Sequence, residues 1–175
     1  MIKNMKKKIL FLLLVPVLLL LLTACEKVTD GKKLTLEDSK YGKTTFIVEG
    51  MKIKDVKVEK NKSSKVIKFK SESLNVKVEM SYIQVSNTAY DKTRDSMKTK
   101  TYYSDSTYGR YTGYFYSDKS NNGKISVVLD TNDKGYATAL SMSLEKINDT
   151  DGVDMFTIVE SIDMKKFLDS MTFEK

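Results

Sequence analysis

Leu74-Asn75-Val76-Lys77-Val78-Glu79-Met80-Ser81-Tyr82 decides the fold. Apolar and polar residues alternate along it without a break. A period of two belongs to a strand with one face buried and one face wet, whereas a helix repeats at about 3.6. Tyr136 to Leu144 has the same pattern: Tyr136, Thr138, Leu140, Met142 and Leu144 alternate with Ala137, Ala139, Ser141 and Ser143. Shorter strand signals lie around these two: Thr44 to Glu49, Lys52 to Lys60, Val66 to Lys70, Tyr108 to Tyr116, and Lys124 to Asp130. Within Lys52 to Lys60 the alternation slips at Asp55, which predicts a bulge. Turn chemistry separates the runs at Asn61–Ser64, Ser71–Ser73, Asn121-Asn122-Gly123 and Thr131–Gly135,. Strands linked by tight turns argue for an antiparallel sheet, not for alternating parallel units.

Helical periodicity occurs in two places. Residues 87–99 read as a short surface helix, with Tyr90 and Met97 on one face,. Near the carboxy terminus, Met155, Ile158, Val159 and Ile162 follow helical spacing, as do Met164, Phe167, Leu168 and Met171. Asp151 or Asp154 suits the first cap and Ser161 the second. Phe156-Thr157-Ile158-Val159 is also β-prone, so residues 153–162 read as helix or strand. Helix is preferred, broken near Asp163, with a short last strand at Met171 to Glu174. The fold class expected is α+β: an antiparallel sheet of about six to eight strands with packed helices. The element order, closing on a helix and then Ser170-Met171-Thr172-Phe173, is similar to the PsbP/Mog1-like α/β/α sandwich over about residues 44–174. That resemblance implies a fold and assigns no role.

The amino end carries a different signal. Met1-Ile2-Lys3-Asn4-Met5-Lys6-Lys7-Lys8 is basic without an acid. An apolar run from Ile9 to Leu22 follows, interrupted by Pro16, and then Leu22-Thr23-Ala24-Cys25. The run is shorter than the ~20 residues of a spanning helix and fits the core of an export signal. The string resembles the signal and lipobox of bacterial lipoproteins. That family resemblance implies a signal peptide over residues 1–24 and a diacylglyceryl group on the Cys25 sulfur. It implies anchoring at the extracytoplasmic face of the cell membrane, since two or more acyl chains hold a protein stably on a bilayer. An uncleaved anchor is the alternative. Residues 25–43 then read as lipidated cysteine and polar tether, although Leu34 and Leu36 could instead form a first short strand. Residues 44–175 read as a single domain.

Composition bounds the chemistry. The chain holds 30 Lys and Arg against 23 Asp and Glu, a net charge of +7. Four of those lysines, at positions 3, 6, 7 and 8, belong to the signal, which leaves 26 basic residues and a mild excess of 3. Arginine occurs only at 94 and 110. Arginine is the residue that reads phosphates and bases bidentately, so a nucleic-acid partner is disfavoured. The chain has no histidine and a single cysteine. Ser-His-Asp and Cys-His catalysis are therefore excluded, and zinc lacks its usual ligands. Asn148-Asp149-Thr150-Asp151-Gly152 and Asp130 to Gly135 are rich in oxygen ligands, but both miss the first or twelfth ligand of a calcium loop,. No cofactor or metal is expected.

One cluster stands out. Tyr102, Tyr103, Tyr108, Tyr111, Tyr114 and Tyr116 include six of the ten tyrosines, with Arg110 and Phe115 among them. On a strand, Tyr114 and Tyr116 share one face, and Tyr111 and Phe115 the other. The cluster is either an exposed face that stacks on sugar or anchors a protein partner, or ordinary cross-strand aromatic packing. Tyr108, Arg110, Tyr111, Tyr114 and Tyr116 are the candidate binding face. The expected function is a non-catalytic, membrane-anchored binding module whose partner is a protein or a cell-wall glycan. An immunity or inhibitor lipoprotein and a carboxylate-dependent cell-wall hydrolase are the alternatives.

Overall fold

A computed structural model describes residues 26–28, 31–60, 64–119, 121–149 and 152–175. Cys25 and the signal segment 1–24 lie outside the described residues. The strands are β1 (Glu26–Val28), β2 (Lys33–Asp38), β3 (Gly42–Ile47), β4 (Ile53–Lys60), β5 (Lys65–Ser71), β6 (Val76–Ser86), β7 (Tyr102–Tyr108), β8 (Tyr111–Lys119), β9 (Asn122–Thr131), β10 (Tyr136–Lys146) and β11 (Thr172–Glu174). The helices are α1 (Asn87–Met97), α2 (Met155–Val159) and α3 (Ile162–Asp169). The strands form a large sheet in the order β1-β4-β5-β6-β10-β9-β8-β7 and a small one in the order β11-β3-β2. Every pairing is antiparallel. The architecture is thus mainly β, with three short helices.

The two runs of strict alternation pair with each other at the centre of the large sheet, from Tyr136↔Ser86 to Lys146↔Val76. Their even-numbered residues Val78, Met80, Tyr82, Leu140, Met142 and Leu144 face the core. The small sheet covers them with Leu34, Leu36 and Phe46, and α3 covers them with Met164, Phe167 and Leu168. Phe167 stacks on Phe46 with ring centroids 4.5 Å apart. The Tyr82 hydroxyl donates to the Leu36 carbonyl at 2.8 Å and is hydrogen-bonded with Thr44 Oγ1 at 2.7 Å, joining the sheets through the core. Burial pushes the Tyr82 phenol up to about 12, well clear of ionisation at neutral pH.

Local signals set several details. The register shifts between Lys54 and Lys57, and Asp55 takes a φ of 56°, which is the bulge expected at that slip. Asp154 caps α2 by accepting from Thr157 N at 2.7 Å, and Ser161 caps α3 by accepting from Met164 N at 3.3 Å. The segment open between helix and strand is therefore helical, with the break at Glu160 and Ser161. Ser86 caps α1, accepting from Ala89 N at 3.1 Å.

Three expectations are corrected. Residues 33–43 are not tether: β2 and the start of β3 lie there, with Leu34 and Leu36 buried in the core. The alternation of Lys33 to Asp38 is short, and only pairing with β3 shows which face it buries. The large sheet has the six to eight strands expected, eight in all, and this segment adds β2 to a second, three-stranded sheet. Asn122-Gly123 is not a turn; it opens β9. A Cβ at Gly123 would meet Phe115 Cε2 at 2.6 Å and Met155 Cγ at 2.7 Å, so packing excludes a side chain there. Tyr136 also fails to reach the core with Leu140, Met142 and Leu144. Ala137 and Ala139, on the opposite face of β10, are buried instead, Ala139 against Tyr90 of α1, and Tyr136 stays 48% exposed at the start of the strand.

One packing detail predicts acid sensitivity. The Asp38 carboxylate accepts from Lys40 N and from Lys65 N, each at 2.9 Å. Burial opposes its charge, but these backbone donors outweigh that and hold the pKa below 3.8. A depressed folded pKa gives stability that is present above the unfolded value and lost as pH falls through the folded one. The stability gap between wild type and Asp38→Asn should therefore be constant above about pH 5 and close below it. Urea unfolding at neutral pH and in mild acid measures this; a gap of the same size in acid would remove Asp38 as the cause.

Candidate binding groove

The tyrosine-rich hairpin is held by a two-residue turn. Tyr108 pairs with Tyr111, and Gly109 between them takes a φ of 60°, as the first position of such a turn requires,. Gly109 N donates to Asp169 Oδ1 at 3.0 Å, tying the turn to the end of α3. The two faces of β8 separate as their spacing predicts. Tyr108, Tyr111 and Phe115 join the main core, and Tyr114 and Tyr116 point to the opposite face.

The candidate face is not one exposed surface. Tyr108, Tyr111 and Tyr114 are 4%, 7% and 3% exposed. The Tyr111 hydroxyl accepts from Phe173 N at 2.9 Å, which fastens β11. Arg110 is exposed at the turn, with its guanidinium 5.1 Å from the centroid of the Tyr111 ring. Tyr116 alone of the five lines an open groove. The reason is topological: α1 runs from the central strand β6 to the edge strand β7 and lies across this face. Tyr90 of α1 packs on Tyr114 at 5.6 Å, and its hydroxyl donates to the Ser126 carbonyl at 3.3 Å. Burial lifts the Tyr90 phenol to about 12. Tyr114 stacks in turn with Tyr103 at 6.1 Å and with Tyr116 at 6.2 Å. Tyr116 is thus the outer member of a rigid stack.

Beyond α1 the same face stays uncovered and forms a groove of about 840 Å³. It crosses six strands, from β4 to β8. The floor includes Gly123, Ser143 and Tyr116, and most of the remaining lining is charged. Lys57, Lys68, Lys70, Lys77 and Lys124 meet Asp55, Glu59, Glu79, Asp118 and Glu145 there, five of each sign. Many of these charges pair across strands. Lys68 Nζ lies 2.8 Å from Glu59 and 3.6 Å from Glu79, Lys70 lies 2.7 Å from Asp55, and Lys77 lies 3.3 Å from Glu145. The Lys68 hydrogen bond holds the Glu59 carboxyl below its ordinary value. Lys57 and Lys124 have no carboxylate within ion-pair distance among the described residues.

Sequence reasoning missed these charges as a site. The polar half of each alternation was visible, but nothing local told which polar face remains open after α1 has crossed it. Lys146 is buried, and its ammonium donates to Asp149 Oδ1 at 3.0 Å and to the Val153 carbonyl at 2.6 Å. A lysine cation therefore takes oxygens from the loop that superficially resembles a calcium site. The sequence matches no protein-family model and no curated protein, and the fold matches no solved structure.

Proposed function

We propose that the chain is a lipoprotein anchored through Cys25 at the extracytoplasmic face of the cell membrane, and that its groove binds an extended stretch of cell-wall glycan without cleaving it. The observation that carries the ligand is the groove itself. It is open along its length, so it suits a polymer better than an enclosed small molecule. Its charges balance, which favours a neutral, hydroxyl-rich chain over a polyanion. Its ion pairs are half exposed, and such pairs are worth about 0–1 kcal/mol each. Sugar hydroxyls can replace them at little cost, donating to the carboxylates and accepting from the lysines. Tyr116, backed by Tyr114, offers a preorganised ring for stacking on a sugar face.

Glu59 does not suit the acid of the hydrolase alternative, because a glycosidase acid needs a raised pKa. Glu59 is instead held low. The finer fold reading, a PsbP/Mog1-like sandwich, belongs to this proposal too. It is supported by the element order of a meander, a helix, a second meander and closing helices.

Co-sedimentation with protease-treated cell-wall sacculi tests the ligand. The purified domain should pellet with the walls, and Tyr116→Ala combined with Lys124→Glu should weaken retention by about tenfold, roughly 1.4 kcal/mol. Retention that needs wall protein would point to a protein partner and end the glycan reading, as would unchanged retention in the variant. Release of reducing ends would make the protein a hydrolase. Separately, Cys25→Ser should abolish palmitate labelling and detergent partitioning; persistence of both would end the anchoring reading while leaving the groove untouched.

A further inference from the structure

A second cleft lies on the same side of the large sheet, between α1 and the edge strand β7. It has a volume of about 560 Å³ and is lined by Tyr90 and Arg94 from α1, Asp105, Ser106 and Thr107 from β7, and Thr112 and Gly113 from β8. Three features separate it from an accidental gap. First, it holds one of only two arginines in a chain that otherwise uses lysine. Second, the Arg94 Nε is buried and has no hydrogen-bond partner among the described residues. Its Nη2 pairs with Asp91 Oδ1 at 3.6 Å, which leaves the Nε side of the fork unfilled. A buried donor without a partner is costly, and a ligand acceptor would recover that cost. Third, Asp105 lines the cleft and forms no ion pair with Arg94 at 4.0 Å or less. Its Oδ1 accepts from the Tyr103 hydroxyl at 2.6 Å, which fixes the carboxylate in place.

The cleft thus presents a guanidinium and a carboxylate that do not neutralise each other. Gly113 contributes to the floor, and it is glycine for a packing reason: a Cβ there would meet the Ser126 carbonyl oxygen and, at 3.1 Å, the Tyr108 ring. Arginine is the residue suited to bidentate capture of a carboxylate, here through Nε and one Nη. The Asp105 carboxylate would in turn accept from a protonated amine. We infer that this cleft binds a small zwitterionic carboxylate, a free amino acid or a short peptide, with its carboxylate on Arg94 and its amine on Asp105. This site is independent of the glycan groove: the two share no lining residue.

Titration of the isotope-labelled protein with glycine, diglycine and acetate tests the inference, with the Arg94 Nε–H and Gly113 N–H resonances as reporters. Saturable shifts of both are expected with glycine or diglycine, and binding about tenfold weaker with acetate, which lacks the amine. Saturation by glycine marks a free amino acid as the preferred source, and saturation by diglycine alone marks a peptide. Arg94→Lys keeps the charge but removes the fork, and should abolish the shifts at Gly113. Asp105→Asn should weaken glycine by about tenfold and leave acetate unchanged. Arg94 lies half-exposed on a surface helix, so the fold survives these changes, and unaltered amide spectra elsewhere verify it. Absence of saturable shifts with all three probes overturns the inference, and so does glycine binding that persists unchanged in Arg94→Lys.

Discussion

A chain shortened to begin at Thr44 will fail to form the domain. Residues 25–43 carry the polar composition of a tether, yet β2 supplies Leu34 and Leu36, 4% and 1% exposed, to the core under the large sheet. Truncation removes both, along with the carbonyl that accepts from Tyr82. It also leaves β3 paired with the three-residue β11 alone. Burial of each leucine is worth about 2–5 kcal/mol when measured by replacement with alanine. A domain of this size is stable by about 5–15 kcal/mol in total. The milder variant Leu36→Ala should therefore lower stability by about 2–5 kcal/mol while keeping the fold. Circular dichroism of the truncated chain and denaturant midpoints of Leu36→Ala measure the two effects. A truncated chain that unfolds at the wild-type midpoint would restore the tether.

Phe167→Ala should be among the most damaging single changes, at about 3–5 kcal/mol. Phe167 is fully buried, stacks on Phe46 at 4.5 Å, and meets Phe69 edge-on at 6.0 Å. It is the point where α3, the small sheet and the large sheet come together. Helix α3 spans only 8 residues, too short to stand on its own propensity, so its stability comes from this packing. Phe167→Leu keeps most of the volume and should cost markedly less. Urea midpoints with unchanged slope would measure the difference. A cost below about 1 kcal/mol for Phe167→Ala would mean that the stack contributes little.

Much of the architecture was legible in the chain. Strict alternation in Val76 to Tyr82 and in Leu140 to Leu144 named the buried side chains of the two central strands. The slip at Asp55 marked the bulge, and Asp154 and Ser161 marked helix starts. These are local features, encoded by side chains within a few positions of one another. The misreadings also share a cause. Gly123 is glycine because Phe115 and Met155 crowd it, and Leu36 is core because Phe46 and Tyr82 lie beside it. Those neighbours lie on other strands and helices, and Met155 and Tyr82 are distant in sequence.

The candidate site divides in the same way. Spacing alone assigned Tyr111 and Phe115 to one face of β8 and Tyr114 and Tyr116 to the other. It could not say that the small sheet seals the first face, or that α1 seals half of the second. By itself the sequence determined an antiparallel protein, free of histidine, with a basic and then apolar amino end and a lone cysteine at position 25. Tertiary structure decided which polar face stays open, and so which charges line the groove and which tyrosine reaches it. Side-chain alternation follows from backbone geometry one residue at a time, whereas the covering of a face depends on strand order and helix crossing, which join residues far apart in the chain.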